Sequence, residues 1–371
     1  MSASKIAQLP IIDVAPFLND NPEDAEKRTA ASAALHRACV EYGFFYLNLD
    51  AYVERSEPEE LARLAKEFFG LPQEEKDKSA LKNQDHARGY ARLNENVTNG
   101  KADAHEGIDF YRPVENPDKS KPLWGENQWP TVPGFKEKYE AWVKKMKVLG
   151  TILMRGMAAG LGLTESETQD LLNQVDESFW VMRVIGYPPL PSGHDGISCG
   201  AHNLNTKGGH IETYGCLTFL WADPTKSALQ VFLRQPGAQE TDSLGLPREQ
   251  GEEEGIWINA DPIPGCVVCN IGETRRSITV WEIWTNGLYK STLHRVVHRG
   301  SNYRIPFFFE PNFDALVRPL PGALRKKALD TAEKSKGGEP ERKSVVYGDF
   351  LLAKVGNNFA EDGPRDWYSE S

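Results

Sequence analysis

The chain is poor in cysteine, with five in 371 residues. That is too few for the disulfide framework of a small secreted scaffold. It has no long apolar run, and no stretch approaches the roughly 20 residues that a membrane helix needs. Basic residues are in deficit: Lys plus Arg number 43 against 53 Asp plus Glu, for a formal charge of −10. A protein held to nucleic acid by phosphate contacts has the opposite balance. The opening Met1-Ser-Ala-Ser-Lys-Ile lacks the apolar stretch of a secretory signal. There is no phosphate-binding P-loop, no Gly-x-Gly-x-x-Gly after a strand, no internal repeat and no low-complexity segment. Gly196-Ile-Ser198-Cys-Gly200 matches a nucleophile elbow in letters. It has a Pro-rich turn before it and a Gly- and Asn-rich stretch after it, where that motif needs a strand and a helix. With 40% hydrophobic and 26% charged residues, the composition is that of a globular protein with a sizeable core. The expectation is a cytoplasmic, monomeric enzyme that binds neither membrane nor nucleic acid.

The patterning divides the chain in two. Leu9 to Val14 and Gly43 to Leu47 read as strands, and 24–42 and 57–69 as helices, the second closed by Gly70 and Pro72. Residues 83–132 read as long connections with short strands near Gly89 and Ile108 to Tyr111. A long amphipathic helix is expected over 135–161, with Tyr139, Trp142, Val143, Met146, Leu149, Leu153 and Met157 as its core face. From Phe179 onward short apolar strands alternate with turns, at 179–185, 216–222, 229–233, 255–259, 266–271, 291–297 and 305–309. That spacing indicates a sandwich or barrel. Residues 237–254 read as an exposed hairpin loop, 326–343 as a helix plus a solvated loop, and 347–355 as a final helix. Cys266-Val-Val-Cys269 sits in an apolar strand and reads as core.

Eight histidines are available, and pairing with a carboxylate singles out a few. His210-Ile-Glu212 is a His-x-carboxylate pair, which extended backbone presents on one face because strand side chains alternate with period 2. Gly200-Ala-His202 lies just upstream. Ser291-Thr-Leu-His294, with His298 beyond it, lies about 80 residues later on another strand. Two histidines and one carboxylate on strands of a small barrel form a facial triad. Such a triad suits Fe(II) and leaves positions open for a co-substrate and dioxygen. The alternative is that these are ordinary core or surface histidines.

Specific runs carry a family resemblance over nearly the whole chain. They are Leu9-Pro-Ile-Ile-Asp13, Tyr42-Gly-Phe-Phe-Tyr-Leu, Phe68-Phe-Gly-Leu-Pro, Gly186-Tyr-Pro-Pro, Gly200-Ala-His202 and Tyr214-Gly-Cys-Leu-Thr. To these are added Asn270-Ile-Gly-Glu, the long run from Trp284 to Val297, and Tyr303-Arg-Ile before Phe307-Phe-Phe-Glu-Pro-Asn. The chain resembles the isopenicillin-N-synthase-like branch of the Fe(II)/2-oxoglutarate-dependent dioxygenases, which includes fungal thymine 7-hydroxylase and plant gibberellin and flavonoid oxidases. The resemblance implies an α+β fold with a mainly β core, a double-stranded β-helix (jelly roll) flanked by N-terminal and C-terminal helices. Its parts are expected as a dioxygenase N-terminal region over 1–130, a supporting helix region over 131–175, the jelly-roll core over 176–320 and a helical tail over 321–371.

The implied cofactor is Fe(II), with 2-oxoglutarate as co-substrate and ascorbate as reductant. The implied partners are dioxygen and a small organic substrate, hydroxylated or desaturated with release of succinate and carbon dioxide. By the same resemblance His294 is the distal iron ligand, Arg304 the 2-oxoglutarate anchor and Tyr187 a helper at the co-substrate. Ile185 stands where the family has Asn.

Three departures touch the site motifs. Eleven residues separate His202 from Tyr214 where the family has two, so Thr213 falls at the family's Asp position. The second His is His202, which keeps strand register, or His210. Glu212 is the nearest carboxylate, with Asp195 and Glu273 as distant substitutes. Ten residues separate Glu273 from Trp284 where the family has four, and Pro306 follows Arg304 at the place of the family's carboxylate-binding Ser. These departures motivate two alternatives: a catalytically impaired jelly-roll binding protein, and an oxidase of the isopenicillin N synthase type that needs no 2-oxoglutarate. Tyr90, Phe110, Trp180, Phe307 and Phe309 are candidates for a substrate pocket and equally for the core.

Overall fold

A computed structural model gives the fold. It describes residues 8–95, 97–98, 101–190, 196–199, 216–233, 255–272, 279–289, 291–334 and 342–356. In chain order, β1 (Ile11–Asp13) leads to α1 (Ala25–Glu41) and β2 (Phe44–Asn48). Then come α2 (Ser56–Phe69), the short α3 (Gln73–Asp77), β3 (Gly89–Ala91), the ribbon β4 (Val97–Thr98) and β5 (Lys101–Ala102), and β6 (Glu106–Tyr111). The long α4 (Phe135–Leu161) and α5 (Glu165–Leu172) precede β7 (Val181–Tyr187), β8 (Ile197–Cys199), β9 (Leu217–Ala222), β10 (Leu229–Leu233), β11 (Ile256–Asn259) and β12 (Cys266–Asn270). After these come α6 (Val280–Trp284), β13 (His294–Val297), β14 (Asn302–Phe309), β15 (Leu316–Val317), α7 (Pro321–Lys334), β16 (Val345–Val346) and α8 (Tyr347–Gly356).

Two sheets form the jelly roll. The larger has eight strands in the order β1-β2-β12-β9-β14-β7-β6-β3, and the smaller has four, β11-β10-β13-β8. The N-terminal region is part of the barrel wall, because β1, β2, β3 and β6 all lie in the larger sheet. One face of that sheet is covered by helices. All seven apolar residues expected on the core face of α4 are buried. Two α4 glycines let neighbours approach: Gly156 lies against Phe17 and Leu35, and Gly160 against the Ser32 carbonyl of α1.

Strand alternation sorts the other face. Ile305, Phe307 and Phe309 of β14 pack into the helix-facing core, as do Met182 and Val184 of β7 and Phe219 of β9. Their sequence neighbours Arg304 and Pro306, Arg183 and Ile185, and Leu220 therefore face between the sheets. A second apolar cluster fills part of that interior, with Phe44, Tyr46, Leu229, Val231, Leu233, Ile258 and Val268. Tyr90, Phe110, Trp180, Phe307 and Phe309 all belong to the helix-facing core, which is the core reading of those five.

Three short elements were not read from the sequence. Residues 197–199 form β8. Helices α5 and α6 each open on a capping box, Thr164 with Glu167 and Thr279 with Glu282. In each box the threonine hydroxyl and the glutamate carboxylate satisfy two backbone donors reciprocally. Thr279 belongs to the six residues that lengthen the spacing before Trp284, so the extra length ends in a defined helix start. The expected hairpin loop at 237–254 lies outside the described residues.

Candidate active site

The Trp284 to Val297 run sets the first half of the site. Helix α6 ends in a tight turn in which Asn286 and Gly287 both take positive φ, 49° and 84°. Asn and Gly tolerate that backbone, which explains the Thr-Asn-Gly segment. The Thr285 hydroxyl donates to the Trp281 carbonyl and accepts from the Tyr289 N–H. The turn is held from outside by Lys327, which donates to the Asn286 carbonyl at 2.8 Å, and by the Arg342 N–H on Asn286 Oδ1 at 3.0 Å. Thr292 then donates its hydroxyl to the Tyr42 carbonyl, pinning the chain just before β13.

On β13 the alternation separates two roles. Arg295 turns outward, where its Nε donates to Gln230 at 2.9 Å and its guanidinium stacks 4.1 Å over the Trp257 ring. His294 turns inward. It lies opposite Val231, itself in the interior cluster, and its ring meets Phe44 edge-on at 5.0 Å. His294 Nδ1 is 3.3 Å from the Thr292 carbonyl. A proton held there makes Nε2 the basic nitrogen of the ring, the tautomer in which ligating histidines are commonly held. Strand β8 runs antiparallel to β13, with Cys199 opposite Val296, so the chain leaves β8 on the side of β13 where His294 stands.

Arg304 sits on β14 between Ala222 of β9 and Ile185 of β7. It is 4% exposed and lines a cavity with Tyr46, Leu220, Ala222, Leu229 and Val268. Its guanidinium lies 5.4 Å from the Tyr187 ring. Among the described residues no hydrogen bond or ion pair compensates that guanidinium. Arg stays protonated in proteins, and a buried charge without a partner costs several kcal/mol. A bound carboxylate, met by two parallel N–H bonds, removes that cost. The donor set therefore fits the distal carboxylate of 2-oxoglutarate. Ile185 makes the adjacent wall apolar.

The structure thus brings His294, Arg304 and Tyr187 to one interior. His202, His210, Glu212, Thr213, Asp195 and Glu273 lie outside the described residues. Among the described residues no group of three His, Cys, Asp or Glu is close enough to hold a metal. His298 is half-buried, and its N–H donates to the Gly196 carbonyl at 2.8 Å. Cys266 faces the interior cluster and Cys269 the helix-facing core. Being three apart on a strand they point to opposite faces, which rules out a shared site. Burial pushes the Cys269 thiol well up.

Known proteins match this architecture. Residues 9–132 match the family described as non-haem dioxygenase in morphine synthesis N-terminal, and residues 181–311 match the 2OG-Fe(II) oxygenase superfamily. Homoarginine-6-hydroxylase 2-ODD-C23 of Glycine max is 36% identical, over 97% of this chain and 99% of its own length. The chain belongs to the 2OG-Fe(II) oxygenase superfamily. A second such hydroxylase, from Arabidopsis thaliana, is 37% identical over 96% of this chain and 99% of its own. The fold matches that of a full-length Neurospora crassa protein crystallised in complex with alpha-KG, with a TM-score of 0.69 at 24% identity over 94% and 95% of the two chains. This oxygenase accordingly uses Fe(II), 2-oxoglutarate, dioxygen and a small-molecule substrate.

The sequence reading missed one charged pair in the same interior. Asp109 of β6 and Arg183 of β7 lie opposite each other in register, with Arg183 Nε and Nη2 donating to the two carboxylate oxygens at 2.7 Å each. Burial acts to lower the Arg183 pKa. Asp109, Tyr111 and Asp103 outweigh it, and the net shift is upward.

Proposed function

We propose that this oxygenase hydroxylates a free basic amino acid, with homoarginine as the first candidate. The buried Arg304, facing the same interior as His294, is the observation that carries the chemistry, and the two hydroxylases matched along almost their full length support the substrate. In this proposal Arg304 holds the distal carboxylate of 2-oxoglutarate and Tyr187 lies against its guanidinium. His294, one of His202 and His210, and Glu212 hold the iron. When bound, Fe(II) would activate dioxygen, the oxidant, with 2-oxoglutarate giving up two electrons as it is decarboxylated to succinate and the substrate giving up the other two. The chain's own part is to desolvate and orient: the apolar wall of Ile185, Leu220 and Val231 excludes water, and Phe44 fixes the His294 ring. A requirement for Arg304 disfavours the oxidase alternative that needs no 2-oxoglutarate.

The test is incubation of the purified protein with Fe(II), 2-oxoglutarate and a panel of amino acids, read by mass spectrometry and succinate release. The expected result is homoarginine, or a close basic analogue, gaining one oxygen atom with one succinate per turnover. Succinate release that no amino acid stimulates would contradict the substrate assignment.

A further inference from the structure

A second cavity, of about 330 Å³, adjoins the one at Arg304. The two share Ala222, Pro262, Ile263 and Cys266 as a wall. The second lies on the helix side of the larger sheet, among the start of α2, Trp142 of α4 and the turns that follow β9 and precede β12. Its volume is in the range of sites for small organic molecules. The floor is apolar, since Leu49, Val53 and Val267 line it and are buried. Trp142 and Trp221 stand among its walls, and flat rings pack well on indoles.

Among the lining residues Trp142 carries an unmet polar demand. It is 3% exposed, and its Nε1–H has no hydrogen-bond partner among the described residues. An indole N–H only donates, and a buried donor left unpaired costs free energy. Trp142 otherwise packs in the helix-facing apolar core, so the cavity is the side from which an acceptor reaches it. A water is a poor occupant, because a held water needs two or more polar partners and the floor is apolar.

Charge at the mouth narrows the ligand further. The Arg55 guanidinium is already engaged by Asp50, with Nε and Nη2 donating to its two carboxylate oxygens at 2.7 and 2.6 Å. Glu59 and Asp223 add two more carboxylates to the lining. An anion therefore meets net negative charge here, the reverse of the buried cation in the Arg304 cavity.

We propose that this cavity is a second small-molecule site, which takes an uncharged aromatic compound whose carbonyl oxygen accepts from Trp142 Nε1–H. The ring lies among the indoles and the apolar floor, and the carbonyl satisfies the one donor. The two neighbouring cavities thus select opposite chemistries, a carboxylate on Arg304 and a neutral ring on Trp142.

The experiment uses three probes: α-tetralone, a fused ring with one carbonyl; tetralin, the same ring without it; and naphthoate, a fused ring with a carboxylate. The full chain, labelled at the indole nitrogens of its nine tryptophans, is titrated with each and followed by NMR. Trp142→Phe and Trp221→Phe identify the two signals. α-Tetralone is expected to shift the Trp142 signal with saturation. It should bind about 5-fold more tightly than tetralin, the worth of one neutral hydrogen bond, and more tightly than naphthoate. Trp142→Phe keeps a ring and removes the donor, so it should bind ketone and hydrocarbon alike, as read on the Trp221 signal. Ala62→Phe, which fills the cavity from α2, should abolish binding. A Trp142 signal that millimolar α-tetralone leaves in place would overturn the site, as would full binding to a folded Ala62→Phe. A ketone preference that survives Trp142→Phe would overturn the hydrogen bond, and tighter binding of naphthoate the choice of a neutral ligand. Equal binding of ketone and hydrocarbon to the wild type would overturn the proposal even if the variants fail to fold.

Discussion

Arg304 carries the strongest electrostatic demand in the interior. It is a permanent cation, 4% exposed, whose one interaction among the described residues besides its backbone ladder is the Tyr187 ring at 5.4 Å. If it is the co-substrate anchor, Arg304→Gln raises the KM for 2-oxoglutarate by about 100-fold or more, since two charge-assisted bonds of about 1.5–3 kcal/mol each are lost. Arg304→Lys falls between, because an ammonium keeps the charge and loses the planar fork. Initial rates against 2-oxoglutarate concentration check this, and an unchanged KM in Arg304→Gln would remove the assignment. At this scale legibility was uneven. Arg304 and His294 were readable because each sits inside a short, specific run. Asp109 and Arg183 were not, because nothing local marks two residues 74 positions apart as partners until β6 and β7 pair.

At the scale of elements, α4 and β14 meet where helix meets sheet. A methyl group added at Gly150 would run into the Phe309 ring, and Phe309 is held in a packed core. Gly150→Ala is therefore expected to destabilise by about 1–3 kcal/mol through overpacking, seen as a lower melting temperature. A neutral effect would mean that the ring yields. Helices α5 and α7 are joined by Arg325, which donates to both oxygens of Glu167 at 2.7 Å. The Arg325 contact first, then the Thr164 N–H of the capping box, lowers the Glu167 carboxyl from 4.5 to about 2. The folded value is depressed, so the stabilisation is complete above the ordinary glutamate range and is lost as pH falls through about 2. A carboxyl titration followed by NMR should place Glu167 near 2, and Arg325→Ala should return it toward 4.5. Long elements such as α4 were legible to the residue, because 27 residues of helical period leave little choice. Strand β8 was not, because Gly-Ile-Ser-Cys-Gly has no local preference for extended backbone. It is a strand because β13 offers an edge.

At the scale of the molecule, the four-stranded sheet brings His294 and the larger sheet brings Arg304 to one interior, and the helices cover the outside. The β-rich second half, the helical wrap and the family were all present in the sequence. The division of each strand into inward and outward residues needed both sheets in place. Metal removal follows from this layout: a chelator should abolish turnover and added Fe(II) restore it, with the fold retained because the two apolar clusters are packed from side chains other than the candidate ligands. His294→Ala should abolish oxidation while leaving the melting temperature within a few degrees. The most direct measurement of the central claim is a reaction run under isotopically heavy dioxygen in ordinary water, with Fe(II), 2-oxoglutarate and homoarginine. The predicted result is one heavy oxygen atom in succinate and one in the hydroxylated amino acid. Product oxygen drawn from water, or oxidation that proceeds without 2-oxoglutarate, would contradict it.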